Sequence, residues 1–350
     1  MRYNTFRILC ILCAFTLLVS FLQASRVGEP TNMPQWTNEI DSWFMDKKAP
    51  WNMPGAQNSA FSLDGKQAFL SLTNGGLAVV DLRDQTVRNI IDFSMILGHG
   101  GIQPDAVAVS PTGMMAAAFP DRHEVLLIDQ AKMRVVERVK TAFPPLALRF
   151  SPLGRFLFIG NQKDKHTWSC IYSIQRREYI LSRITPMICD ISRDDRYIYL
   201  YDEARNSLRW MTADTRQTIR QFNLSTISPI GEPYTIKVLR DHRIAIGFKG
   251  SVTISDRYLR QIELMHVAPM NAGDVSFIEP SHDNRYLIFG RRGALHILSL
   301  VHNISTALEL PAGVGGVDAY PKGNYIIFSN PADMSTRIVG IDIPSRTSKH

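Results

Sequence analysis

The chain has 350 residues, 45% of them hydrophobic and 20% charged, with no low-complexity stretch, which is the composition of a globular protein. Its 39 Lys and Arg outweigh its 32 Asp and Glu by a net charge of +7, modest for this length, and read as a solvated basic surface. No Lys/Arg cluster is interleaved with aromatic residues, so nucleic-acid binding is set aside.

At the N-terminus Arg2 and Arg7 precede ILCILCAFTLLVSFLQA, residues 8–24, a run without a charge. Basic residues ahead of an apolar run mark an export signal or a signal anchor with its N-terminus inside. The run is at the short limit of the about 17–25 residues that span a bilayer. Leu22-Gln23-Ala24 is a fair cleavage site, so a cleaved signal and a retained anchor both stand. Either one sends the rest of the chain out of the cytoplasm, to a periplasmic or extracellular location. Leu9 before Cys10 and Leu12 before Cys13 do not fit a lipidation box. The organisation expected is a signal or anchor over 1–25, a linker over 26–50, a repeat domain over 51–345 and a tail over 346–350.

Cys170 and Cys189 are the cysteines outside the leader. They either pair in an oxidising compartment or lie as buried thiols in neighbouring strands. With no C-x-x-C outside the leader, neither a zinc site nor a thioredoxin-type centre is expected.

A hairpin recurs along the rest of the chain. Its copies are FSLDGKQAFL (61–70), VSPTGMMAAA (109–118), FSPLGRFLFI (150–159), ISRDDRYIYL (191–200), VLRDHRIAIG (238–247), PSHDNRYLIF (280–289) and AYPKGNYIIF (319–328). The turn position falls at Gly65, Gly113, Gly154, Asp195, His242, Asn284 and Gly323, at steps of roughly forty residues, the period of a β-propeller blade. Gly, Asn and Asp suit the positive φ of a tight hairpin; His242 is the poorest fit. Third strands follow, as in LAVVDL (77–82) and EVLLID (124–129), then fourth strands, as in TVRNIIDF (86–93) and RVVERVK (134–140). Four antiparallel strands make a blade, and strands apolar on both faces are what blades stacked on blades require. The fold class expected is therefore all-β: a seven-bladed β-propeller of four-stranded antiparallel blades behind an N-terminal hydrophobic helix. After RIVGIDI only PSRTSKH remains, too polar and short for a fourth strand, so NEIDSWFMD (38–46) is expected to supply the missing outer strand of the last blade and close the ring.

The segment LLIDQAKMRVVERVKTAFPPLALRFSPLGRFLFIGN (126–161) resembles the YVTN-type propeller repeat. In that family an Ile-Asp turn, a fourth strand, a Pro, a small-residue strand, a Ser-Pro-Asp-Gly turn and a Tyr-Val-Thr-Asn strand follow in order. The resemblance covers roughly residues 50 to 345 and is best in the first three copies. Thr112 and Leu153 stand where the family has the Asp of its turn, and FIGN where it has Tyr-Val-Thr-Asn. Trp-Asp dipeptides are absent, which makes the WD-repeat family proper a poorer match. The resemblance implies a seven-bladed, commonly exported propeller and no single activity.

Candidate binding residues come from position in the repeat. The residue five before each turn position is Ala60, Ala108, Arg149, Asp190, Lys237, Glu279 and Asp318, so neighbouring copies present opposite charges at one depth of the channel. A ring of inter-blade ion pairs and a polar ligand site in the channel both fit this column. Among the mouth loops, GRRG (290–293) offers Arg291 and Arg292 as an anion contact, and His99 in LGHGGIQPD has glycine neighbours that admit a ligand. His99 lacks a companion at ligand spacing, so no metal is expected. There is no nucleophile elbow, P-loop or dinucleotide fingerprint, and no cofactor is expected. The sequons NLS (223–225) and NIS (303–305) matter only on a eukaryotic secretory route.

Two functions compete. One is a non-enzymatic module whose partner is another protein, tethered to the membrane through residues 8–24 if the leader is kept. The other is an enzyme or cofactor carrier using the channel mouth, as the related quinone-dependent amine dehydrogenase chains, haem-binding nitrite reductase-like domains and lactonases imply.

Overall fold

A computed structural model describes residues 35–40, 56–62, 66–72, 76–81, 86–93, 104–132, 134–162, 167–224, 232–248, 251–260, 262–267, 277–281, 284–291, 294–301, 305–309, 316–319, 325–330 and 335–342. Trp36–Asp342 form one unit, built from strands. The apolar run 8–24 lies outside the described residues, and no helix among the described residues is long and apolar enough to cross a membrane.

In chain order, β1 (Gln35–Ile40) comes first. Next are β2 (Ala56–Phe61), β3 (Gln67–Leu72), β4 (Gly76–Asp81) and β5 (Thr86–Asp92). Then follow β6 (Ala106–Val109), β7 (Met114–Phe119), β8 (Glu124–Asp129) and β9 (Arg134–Lys140). A third group holds β10 (Ala147–Phe150), β11 (Phe156–Gly160), β12 (Thr167–Ser173) and the long β13 (Glu178–Ile191), continued by β14 (Tyr197–Asp202), β15 (Ser207–Thr212) and β16 (Thr218–Asn223). The next four are β17 (Pro233–Val238), β18 (Ile244–Phe248), β19 (Ser251–Ser255) and β20 (Ile262–Val267). They lead to β21 (Phe277–Pro280), β22 (Tyr286–Arg291), β23 (Ala294–Ser299) and β24 (Ser305–Glu309). Last are β25 (Gly316–Ala319), β26 (Tyr325–Asn330) and β27 (Ser335–Asp342).

Within the sheets, consecutive strands from β2 onward pair antiparallel, giving five four-stranded sheets and one seven-stranded sheet, β10–β16. The seven-stranded sheet has two ladders that share β13: residues between Glu178 and Ile188 pair with β12, and Cys189–Ile191 pair with β14. The first strand of each sheet lies against its counterpart in the next: β2 on β6, β6 on β10, β17 on β21, β21 on β25, and β25 back on β2. The C-terminal half of β13 takes the same place against β17. First strands standing side by side in a closed circuit, with meandering sheets radiating from them, define a β-propeller fold.

The last sheet runs β1-β27-β26-β25. Its outer strand thus comes from the N-terminal side, over Gln35–Ile40, which begins before the segment 38–46 marked by the sequence pattern.

Hydrophobic strands bury both faces because neighbouring sheets cover each other. In β11, Leu157 and Ile159 pack with Ala106, Val125 and Leu127 on one side. Phe156 and Phe158 pack with Trp168, Cys189 and Ile198 on the other. Outer strands carry the solvent face instead: β16 is exposed along almost its whole length.

The recurring turn has its own chemistry. The Ser that opens it accepts from the backbone N–H five residues on: Gln67 N to Ser62 Oγ (2.9 Å), Phe156 N to Ser151 Oγ (3.0 Å), Tyr197 N to Ser192 Oγ (2.9 Å) and Tyr286 N to Ser281 Oγ (3.1 Å). This satisfies a backbone donor where the hairpin is too tight for a ladder bond. The turn position itself is left-handed, with φ of 79° at Gly113, 74° at Gly154, 54° at Asp195, 69° at His242 and 57° at Asn284. His242, the poor fit on sequence grounds, therefore makes the same turn as the others.

Candidate functional site: the charged inner strands and their turns

Four of the column residues meet in pairs, one pair joining the two ladders of the seven-stranded sheet and the other joining two neighbouring sheets. Arg149 Nη2 on β10 donates to Asp190 Oδ1 on β13 at 2.5 Å. Lys237 Nζ on β17 donates to Glu279 Oε1 on β21 at 2.6 Å. Asp190 does more than pair: Oδ1 also accepts from its neighbour Ile191 N (2.9 Å), and Oδ2 accepts from Val238 N on β17 (2.7 Å). One buried carboxylate thus ties three successive inner strands. The Arg149 guanidinium lies over the rings of Phe158 (5.0 Å) and Trp168 (4.9 Å), which hold it by cation–π attraction. Chemically the arrangement fixes sheet register. Its cost is desolvation, which the added hydrogen bonds at Asp190 offset.

Below this column the turns engage each other in the same direction. Asp195 reaches back to the preceding turn, where its Oδ2 accepts from Ser151 Oγ (2.5 Å) and Arg155 N (3.2 Å), and Leu153 N approaches both oxygens at 3.3 Å. Burial raises the Asp195 carboxyl above the ordinary range, against the lowering pull of Ser151, the Arg155 and Leu153 N–H groups and the Arg155 charge. Asn284 does the same two copies on, its Oδ1 accepting from Arg240 N in the turn before it at 3.2 Å. Gly154 occupies the equivalent place against the turn before it, where a Cβ would stand 2.2 Å from Ser110 Oγ. Sequence reading found these residues as turn formers and missed this second role; the signal was present as Gly, Asp and Asn sharing one column.

Ala60 pairs with Phe69 on β3, and Ala108 is buried on β6. Asp318 lies opposite Ile327 on β25, and Arg291 opposite Ala294 at the end of β22. His99 and Arg292 lie outside the described residues, as do residues 163–166. Cys170 on β12 and Cys189 on β13 are buried free thiols, not a disulfide. Burial pushes the Cys170 thiol up to about 12, which leaves it unreactive. Among the described residues no cluster of His, Cys, Asp and Glu has metal-site geometry.

The sequence matches no protein-family profile and no curated protein. Solved structures do resemble the fold. A Kuenenia stuttgartiensis hydrazine synthase chain superposes with a TM-score of 0.63 at 16% identity, over 84% of this chain and 97% of that one. The β-propeller domain of Myceliophteria thermophila Cps50 (Swd1) superposes with a TM-score of 0.63 at 13% identity, over 89% of this chain and all (100%) of that one. These likenesses establish a β-propeller fold and nothing about chemistry.

Proposed function

We propose that the chain is an exported, membrane-tethered, seven-bladed propeller of the YVTN-repeat kind that binds another protein and performs no reaction itself. The observation that carries this reading is the commitment of the inner-strand charges to one another: Arg149 to Asp190 and Lys237 to Glu279. Charges spent on holding register make a rigid ring, and a rigid ring is a preorganised platform for a partner. The count of seven rests on reading the β10–β16 sheet as two blades meeting at β13, alongside the five four-stranded sheets. Export and tethering rest on Arg2, Arg7 and the apolar run 8–24.

The test is purification of the full chain from its native membrane fraction, read by intact mass, absorbance spectrum and co-purifying bands. An unprocessed mass, sedimentation with membranes, no visible absorption and a stoichiometric second protein are expected. A haem or quinone band, or a bound metal, overturns the reading in favour of the cofactor-carrying alternative.

A further inference from the structure

The hairpin that joins β7 to β8 turns through Pro120–Arg122, one turn of 3-10 helix, and a left-handed His123 (φ 50°). It is anchored at the end of β9, where Thr141 N donates to His123 O (2.8 Å). Glu124, the first residue of β8, is 1% exposed and has three cations around it. Arg138 Nη1 on β9 donates to Glu124 Oε1 at 3.4 Å. Arg122 Nε stands 3.7 Å from Oε2, and Lys140 Nζ 3.3 Å from it. Two buried atoms of this cluster are nonetheless unbonded: Glu124 Oε2 accepts a hydrogen bond from neither neighbour, and Arg122 Nη1 has no acceptor. Among the described residues no other acid lies within ion-pair distance of Arg122, Arg138 or Lys140.

The corresponding hairpin between β14 and β15 shows the same device with its bonds made. It has the same single helical turn, Glu203–Arg205, and a left-handed Asn206 (φ 43°). There Arg205 Nη1 donates to Asp202 Oδ2 at 2.9 Å. Arg209 Nη1 lies 3.7 Å from the same oxygen, while its Nη2 donates to Thr218 Oγ1 (2.6 Å). In the first hairpin Phe119, opposite Glu124, packs edge-on against Phe93 (5.2 Å). The floor of the cluster is thus apolar, and each hydrogen bond left unmade above it is costly. A buried acceptor and a buried donor, both unbonded in one cluster, call for a ligand that offers a donor and an acceptor together.

We infer that Arg122, Arg138 and Lys140, set around Glu124, bind inorganic phosphate as the hydrogen phosphate dianion. Three cations on one carboxylate leave a net charge of +2, which the dianion balances. Its three unprotonated oxygens accept from Arg122 Nη1, Arg138 and Lys140, and its O–H donates to Glu124 Oε2. The proton stays on the phosphate, and no covalent bond is made or broken. Arg138, 46% exposed, and Lys140, 70% exposed, are the side chains that swing aside to admit it. Sulfate and the dianion of a phosphate ester carry the same charge without an O–H. Each leaves Glu124 Oε2 unbonded and facing a like charge, so the site rejects them. The inference goes beyond the protein-binding reading and does not depend on it.

The experiment titrates the full chain in detergent with sodium phosphate, sodium sulfate and glycerol 3-phosphate above neutral pH, read by calorimetry. Phosphate is expected to bind about tenfold tighter than the other two, the worth of one hydrogen bond to a buried carboxylate. Arg122→Gln is expected to weaken phosphate and sulfate together, and Arg205→Gln in the second hairpin to leave both unchanged. Glu124→Gln is expected to bring the two affinities level, because the Gln amide donates to sulfate. A thermal melt of each variant checks folding. If Arg122→Gln or Glu124→Gln unfolds, the exposed Arg138→Gln and Lys140→Gln carry the test, each expected to weaken phosphate about tenfold. Absence of phosphate binding overturns the site, as does equal affinity for phosphate and sulfate in the wild type, or phosphate affinity unchanged in Arg138→Gln and Lys140→Gln. Tighter binding of glycerol 3-phosphate than of phosphate overturns it as well, in favour of an ester such as a lipid headgroup.

Discussion

Two neighbouring junctions solve one problem differently. Where the turn at Gly154 meets the turn at Ser110, the fit is steric: the glycine hydrogen faces the Ser110 hydroxyl, in a space too small for a Cβ. Where the turn at Asp195 meets the turn at Ser151, the fit is polar: a carboxylate crosses the gap and collects a hydroxyl and backbone N–H groups. The inner column follows suit, with Ala108 on β6 and the ion pair Arg149–Asp190 on β10 and β13. Small residues let backbones approach; charged ones hold them apart at a set distance. The repeat tolerates both because what it must preserve is register and the left-handed turn, not a residue type.

That contrast can be broken from either side. The largest effect is expected for Asp190→Ala, which strands Arg149 and leaves Val238 N without its acceptor; loss of a buried charge partner costs about 3–5 kcal/mol, read by urea unfolding. A cost under about 1 kcal/mol would show that the pair decorates rather than holds the junction. Next comes Gly154→Ala, which adds a contact at 2.2 Å and a strained φ of 74°, for about 2 kcal/mol. Ser110→Gly in the same chain should restore the steric part and not the conformational part, so incomplete rescue is the expected outcome. Asp195→Asn keeps shape but replaces one accepting oxygen by an N–H₂ donor that cannot accept from Ser151 Oγ, Arg155 N or Leu153 N; a loss of about 1–2 kcal/mol in urea unfolding is expected.

The smallest effect is a titration. Asp194 and Asp195 are adjacent yet shift oppositely from an ordinary value of 3.8. Burial raises both, but at Asp194 the Ser192 hydroxyl, backbone N–H groups and the Arg196 charge win, and its carboxyl falls below the ordinary range. At Asp195 burial prevails. Asp194 therefore contributes stability above 3.8 that is lost as pH falls through its lowered value. Asp195 contributes stability that is present below 3.8 and lost as pH rises through its raised value. Carboxyl-carbon NMR titration should place the two midpoints on opposite sides of 3.8, and an Asp195 midpoint below 3.8 would show that its hydrogen bonds, not burial, prevail there.

The fold was readable because a roughly forty-residue repeat carries its own alignment, and two-face burial writes continuous apolar strands. The Arg149–Asp190 and Lys237–Glu279 pairs were readable from the same alignment, since equal depth on adjacent inner strands implies contact. Less accessible were interactions that skip the column: Asp190 accepting from Val238 N, or Asp195 reaching Ser151, depend on side-chain direction at a turn. His242 misled because residue preference for a left-handed φ is a tendency that a flanking hairpin overrides.

The pairing of β1 with β27 sets an order of events. The sheet β1-β27-β26-β25 needs both ends of the chain, so it forms last, after the ribosome has released residues 335–342. Until then β1 has no bonding partner, and the growing ring presents open strand edges to whatever is nearby. A chain that crosses a membrane while it is made would meet this interval on the far side, where shielding of those edges falls to local folding helpers. Removing Gln35–Ile40 would then be felt at β27, roughly three hundred residues away in sequence.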